Sequence, residues 1–119
     1  MESENIDKAI AAHGAWKDRL TATIASGTSD FDPTVVKLPD KCEFGKWLYG
    51  DDIPAAAKDN DYYSQSVDLH AKFHIEAGKI LAFALEGNKS EAEGLMTDDS
   101  EFIKLSSTLT NLLNEWKAA

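Results

Sequence analysis

The chain is poor in cysteine and in long apolar runs. Its 119 residues include one cysteine, so an internal disulfide is excluded. No apolar stretch approaches the roughly 20 residues that a membrane-spanning helix needs. The acidic start Met1-Glu2-Ser3-Glu4 lacks the basic and then apolar layout of a secretion signal. These absences predict a cytoplasmic protein without a membrane span.

Basic residues are also scarce. Twelve lysines and arginines stand against 21 aspartates and glutamates, which gives a net charge of −9. Binding to nucleic acid or to an anionic membrane needs a basic surface, so both are disfavoured. The acidic residues are scattered and form no tail, which is typical of a solubilising surface charge.

The length and composition are those of one globular domain spanning residues 1–119. Hydrophobic residues make up 43% of the chain and charged residues 28%, which is enough apolar material for one core. No stretch shows the alternation of a half-buried strand. Apolar residues recur instead at helical spacing in three long stretches, namely 3–26, 61–86 and the residues that follow the capping-box variant Asp98-Asp99-Ser100-Glu101.

Shorter helical patterns fill the gaps. We expect a turn of helix around 34–38, a short helix over 41–49, one with Pro54 near its first turn, and a connection over 89–96. Asp59-Asn60-Asp61 supplies cap candidates for the start of the central long helix, and Gly27 and Gly87 are expected to end the first and the central long helices. Gly14, inside the first helix, suggests a close approach of another element. Together these patterns predict an all-α four-helix bundle in which a short-helix segment carries the cysteine.

Two histidines lie four residues apart in the central helix. His70 and His74 are therefore one turn apart on the same face, where two imidazoles can hold one metal ion. The chain offers two further soft or borderline ligands, His13 and Cys42. Four such ligands are what tetrahedral zinc takes, and a shared ion would satisfy polar rings on apolar helix stripes.

Each residue also has a simpler interpretation. A lone histidine on an apolar stripe, such as His13, is more often a hydrogen-bonded core residue, and Cys42 alone behaves as a small hydrophobe. The spacing of His70 and His74 also arises by chance. A cysteine at a helix N-terminus is favoured as a thiolate. Four aromatic residues are expected to form a dry wall around any site, namely Trp16, Phe44, Trp47 and Phe73.

The order of the motifs decides between these interpretations. His-Gly-Ala-Trp (13–16), Cys-Glu-Phe-Gly-Lys-Trp (42–47) and His-Ala-Lys-Phe-His (70–74) follow one another. This order resembles the chemoreceptor zinc-binding domain family, whose pattern is H-x-x-W, C-x-x-G-x-W and H-x-x-F-H. The resemblance implies a four-helix bundle with zinc bound by His13, Cys42, His70 and His74. It also implies a signalling partner, a bacterial chemoreceptor or diguanylate cyclase, and a possible homodimer.

Known zinc-enzyme patterns are absent. A metalloprotease helix has glutamate directly after its first histidine, where this chain has Ala71. The deaminase pattern with paired cysteines is missing as well. Four protein ligands also leave no open coordination position for a substrate. We therefore expect a protein that is not an enzyme.

Three roles for the zinc remain open from the sequence. In a zinc sensor, metal occupancy would draw the helices together and bias a partner. In a redox sensor, oxidation of Cys42 would weaken one ligand bond and shift its helix. The alternative is a purely structural zinc in a small protein-interaction module. The resemblance is compatible with either sensor.

Overall fold

The computed structural model describes residues 3–51, 53 and 55–118. All regular elements within these residues are helices, namely α1 (Ser3–Ser26), α2 (Pro33–Val36), α3 (Glu43–Tyr49), α4 (Ala55–Lys58), α5 (Asp61–Leu85), α6 (Lys89–Gly94) and α7 (Glu101–Ala118). This confirms the all-α prediction. The expected position of Pro54 in the second short helix lies outside the described residues. None of the described helices is both long and apolar enough to cross a membrane.

The predicted stop and start signals act at the long helices. Gly27 and Gly87 follow α1 and α5 with φ of 76° and 77°, a left-handed conformation that glycine adopts without strain. Asn60 caps the N-terminus of α5, where its side-chain oxygen accepts a hydrogen bond of 2.7 Å from the Tyr62 N–H. These local contacts explain why the long helices begin and end close to the predicted residues.

Helix α5 is the centre of the bundle. Its apolar stripe is broad enough to pack against α1, α2, α6 and α7. The buried core is built from large side chains of all three long helices, including Leu20 of α1, Phe73 of α5 and Phe102 of α7. The short helices complete the bundle, since α2 packs against α5 and α3 packs against α1. The bundle thus has three long helices and a fourth side made of short ones.

The expected close approach at Gly14 is wrong. A Cβ atom added at Gly14 would meet no heavy atom of the described residues within 4 Å. The close approaches occur at other glycines. A Cβ at Gly45 would run into the carbonyl oxygen of Pro39, and one at Gly78 would lie 2.9 Å from the Lys37 Cβ. These two glycines let the loop after α2 and the start of α3 pack tightly, which places Cys42 beside α1 and α5.

Candidate metal centre

Three elements bring the predicted ligands together. His13 lies in the middle of α1, His70 and His74 lie one turn apart on α5, and Cys42 is the residue that caps the N-terminus of α3. One ligand atom from each of the four residues lies within 4.8 Å of those of the others. The three histidines are buried and Cys42 is half-buried. The cluster matches the four residues singled out from the sequence.

Backbone carbonyls orient two of the imidazoles. His13 Nδ1 lies 2.6 Å from the carbonyl oxygen of Ala9, and His74 Nδ1 lies 2.8 Å from that of Val36. Because a carbonyl oxygen can only accept, each Nδ1 carries the proton and donates it. The Nε2 atom of each ring is therefore left with a free lone pair, which is the form that binds a metal ion.

The two free lone pairs point at each other. His13 Nε2 and His74 Nε2 are 3.3 Å apart, and neither carries a proton to share. Two acceptors at this distance in a buried site repel each other unless a cation lies between them. Tetrahedral zinc with bonds of about 2.05 Å to nitrogen separates two such atoms by about 3.3 Å. The donor set and the spacing of these two nitrogens therefore fit zinc.

Cys42 and His70 form the other half of the cluster. Cys42 Sγ lies 3.3 Å from His70 Nε2 and accepts a hydrogen bond of 3.3 Å from the Gly45 N–H. His70 Nδ1 is buried and, within the described residues, has no hydrogen-bond partner. Ser66 Oγ, one turn earlier on α5, is buried and unpaired in the same way.

The expected thiolate at the helix N-terminus is not the favoured form in the metal-free protein. Burial raises the pKa of the Cys42 thiol, and it outweighs the lowering effect of N–H donors at the start of α3, above all that of Gly45. The helix N-terminus is present as predicted, but desolvation of the sulfur raises the pKa of Cys42 by more than the helix N-terminus lowers it. A bound cation would supply the missing compensation, because coordination deprotonates a thiol.

Burial also keeps the imidazoles neutral. It lowers the pKa of His13 to about 4, although the hydrogen bond to Ala9 opposes this. It lowers the pKa of His70 to about 2, helped by the neighbouring His13 and His74. The pKa of His74 is lowered as well, again chiefly by burial. All three rings are therefore unprotonated near neutral pH, as metal ligands must be.

Aromatic rings enclose part of the cluster. Phe44 meets His13 and His70 edge to face at centroid distances of 5.7 and 5.1 Å, and Phe73 lies 5.1 Å from His13. Trp16 and Trp47 pack farther out, against Phe31 and Trp116 respectively. Phe44 and Phe73 thus form the dry wall, while the two tryptophans support it from outside.

The cluster has the composition of a closed binding site. Within the described part of the chain, its four members include no carboxylate that could act as a general base. Ala71 occupies the position where a metalloprotease has glutamate. This arrangement can hold an ion between three chain segments.

Sequence reasoning missed the groups that orient the ligands. The Ala9 carbonyl precedes His13 by one helical turn, so this contact could have been anticipated from the helix alone. The Val36 carbonyl could not, because its approach to His74 depends on the path of the chain between α1 and α3. The glycine of the Cys-x-x-Gly spacing was visible, but its close packing under Pro39 was not.

One comparison with known proteins gave a match. The family model described as the chemoreceptor zinc-binding domain matches residues 13–81, which is more than half of the chain and contains all four members of the cluster. No match was found among curated proteins or among solved structures.

Proposed function

The chain belongs to the chemoreceptor zinc-binding domain family, and we therefore propose that it is a regulatory domain that binds zinc through His13, Cys42, His70 and His74 in a bacterial signalling pathway. The observation that carries this proposal is the 3.3 Å contact between His13 Nε2 and His74 Nε2. Both atoms have free lone pairs, so the contact is favourable only around a cation. The regulatory character of the family and the absence of a general base in the cluster support a role without catalysis.

The four ligands link three helices, because they lie on α1, at the start of α3 and on α5. When bound, zinc would supply one tetrahedral centre shared by α1, α3 and α5. His13 and His74 are held in the binding tautomer by Ala9 and Val36, so they present their Nε2 atoms without rearrangement. Cys42 sits at the N-terminus of a seven-residue helix, so a movement of its sulfur displaces that short element most readily.

A second role, as a redox sensor, is favoured by the exposure of Cys42. It is half-buried, whereas the three histidines are buried, so an oxidant reaches the sulfur first. Two-electron oxidation by hypochlorous acid or a peroxide would convert the sulfur to a sulfenic acid, with the oxygen supplied by the oxidant. The oxidised sulfur binds a metal more weakly, and α3 would then be free to move. A reduced thiol ligand also fits the proposed location in the cytoplasm.

We further propose the signalling partner from the family. A chemoreceptor or a diguanylate cyclase would read the packing of α1 and α3 against α5, and the domain would act within a homodimer of that partner. Zinc occupancy can shift the conformational equilibrium of such a partner only if the zinc-bound and zinc-free packings of the domain differ in their affinity for that partner.

Zinc content and affinity test the ligand set. We expect one zinc per purified chain and a loss of affinity exceeding about 100-fold in Cys42→Ala, because even orienting residues around zinc ligands cost 10–100-fold. Ser64→Ala, at an exposed position of α5, is the matched control and should bind like the parent. Atomic emission and chelator competition measure the metal, and circular dichroism checks that the helices remain. Unchanged zinc in Cys42→Ala would show that the cysteine is not a ligand.

Oxidant treatment separates the two sensor roles. For the redox role, we expect sub-nanomolar affinity and zinc release on addition of hypochlorite, followed with a chromogenic chelator. Weaker and reversible binding without oxidant-triggered release would favour the zinc sensor instead. Tight binding without release by oxidant would identify a structural zinc.

A further inference from the structure

A groove with a volume of about 660 Å³ lies between α1 and the segment that contains α2 and α3. Its size is within the range of 300–1,000 Å³ that is typical of small-molecule sites. The groove is lined along α1 from Asn5 to Arg19, and it extends beyond the metal centre, of which His13, Cys42 and His74 also line it. It therefore offers space that the proposed zinc site does not use.

The walls of the groove are unusually apolar for a protein surface. Within the described residues, five large apolar side chains are exposed, and three of them line this groove, with exposed fractions of 43% for Phe31, 47% for Val35 and 37% for Leu38. Trp16 and Trp47 add aromatic surface. Apolar side chains gathered in one concave place indicate a binding site more strongly than the same side chains scattered singly.

The groove also concentrates positive charge. Four of the twelve basic residues of the chain line it, while Glu43 is the acidic residue in its lining, so the local charge is positive in a protein of net charge −9. Lys8 pairs with Glu4, but none of the ion pairs among the described residues involves the other three basic side chains. The groove is thus a place where an anion is attracted to a protein that otherwise repels it.

Arg19 is already held in position. Its guanidinium carbon lies 5.1 Å from the ring centroid of Trp16 and 5.3 Å from that of Phe31. Stacking of this kind restricts the side chain before a ligand arrives and so reduces the entropy lost on binding. The planar guanidinium also keeps donors that can pair with a carboxylate.

We propose that this groove binds a small amphipathic carboxylate, which is a ligand class distinct from the metal. Its apolar body would lie against Trp16, Phe31 and Val35, and its carboxylate would be paired by Lys41, Lys46 or Arg19. None of the three basic side chains belongs to the metal cluster, but His13, Cys42 and His74 also line the groove, so the carboxylate would lie beside the proposed zinc site. An aliphatic and an aromatic carboxylate share this chemistry, and both are used as probes.

Tryptophan fluorescence is the direct measurement, since two of the three tryptophans line the groove. Laurate, below its micellar concentration, and 1-naphthoate are titrated into the full chain as purified. We expect saturable binding of at least one of them, and no binding of dodecyltrimethylammonium, which has an aliphatic tail of the same length and the opposite charge. Equal binding of the cationic amphiphile, or no saturable binding of either carboxylate, would overturn the proposal.

Charge-reversal variants locate the site. The double variant Lys41→Glu/Lys46→Glu should weaken carboxylate binding about tenfold or more, since two attractive charges become repulsive. Lys17→Glu/Lys104→Glu changes the net charge equally at two exposed positions outside the groove and should bind like the parent. An equal effect of both double variants would contradict a local site.

A second matched pair of variants tests the apolar wall of the groove. Val35→Ser should weaken binding, whereas Ile75→Ser, at a residue that is 55% exposed outside the groove, should not. Both positions are exposed, so neither variant is expected to unfold the chain. Sedimentation of the same variants tests the rival occupant. A dimer that Val35→Ser dissociates would mean that a second copy of the chain fills the groove, and the proposal would be wrong.

Discussion

Removing the metal should make the stability of the bundle strongly dependent on pH below neutrality. In the folded chain burial lowers the pKa of His13 to about 4 and of His70 to about 2, and also lowers the pKa of His74. In the unfolded chain each pKa returns to about 6.5. The unfolded state therefore binds more protons as the pH falls, and acid favours it.

The sign and size follow from these pKa values. The stabilisation is fully present above pH 6.5 and is lost as the pH falls towards the folded-state values. Between pH 7.5 and pH 5 each of His13 and His70 should remove about 2 kcal/mol, so together they remove about 4 kcal/mol of unfolding free energy. His74 adds to this loss. Most small domains have only about 5–15 kcal/mol in total, so the effect is large.

Urea denaturation of the chelator-treated protein, followed by circular dichroism at pH values from 7.5 to 5, measures the effect. His13→Gln is the informative variant, because it should reduce the pH-dependent loss by about 2 kcal/mol. Cys42 and Asp32 do not contribute to the pH dependence between pH 7.5 and pH 5. The pKa of Cys42 is raised above 9.0, and the pKa of Asp32 is lowered below 3.8. A change in the free energy of unfolding smaller than about 1 kcal/mol over this range would refute the conclusion that burial keeps these histidines neutral. If the metal-free chain were already unfolded at pH 7.5, its apolar core alone would not hold the fold, and the prediction would also be refuted.

Three single substitutions test the packing, each by urea denaturation of the metal-free chain at pH 7.5. Gly14→Ala should stabilise it by up to about 1 kcal/mol, because alanine favours the helix and its Cβ meets nothing. Gly45→Ala should destabilise it by about 2 kcal/mol or more, because the Cβ collides with the Pro39 carbonyl. The same sign for both would contradict the packing described. Ser66→Ala should stabilise it by about 1 kcal/mol, since it removes a buried hydroxyl that has no partner among the described residues. A loss of stability would contradict the unpaired state of the hydroxyl.

The sequence predicted the long helices well because their signals are local. The expected ranges 3–26 and 61–86 compare with Ser3–Ser26 and Asp61–Leu85. Apolar spacing, Gly27, Asn60 and Gly87 lie within or next to the element that they determine. The short helix expected over 41–49 begins later, at Glu43, because Cys42 is its cap and lies outside the helical turn. Local signals therefore predict where an element lies, whereas the capping residue determines which residue is the first in the helix.

The four members of the cluster could also be anticipated, for a different reason. Each ligand is embedded in a short motif of its own, and the order of those motifs carries the information that no single spacing holds. What the motifs did not reveal is the protonation of the site. Helix position alone suggested a thiolate at Cys42, whereas the depth of the sulfur raises its pKa in the folded chain. Burial depends on tertiary packing, which no local pattern encodes.

The groove could not have been found by reading the chain in order, because it is defined by what the fold leaves uncovered. Phe31, Val35 and Leu38 read as ordinary apolar residues of a linker with one helical turn. In α2 the Val36 side chain is buried and its carbonyl oxygen contacts the His74 ring, whereas the adjacent Val35 is exposed. The same geometry that fixes His74 by a backbone carbonyl therefore creates the apolar wall beside it. Ligand orientation and groove are two consequences of one placement of α2 against α5.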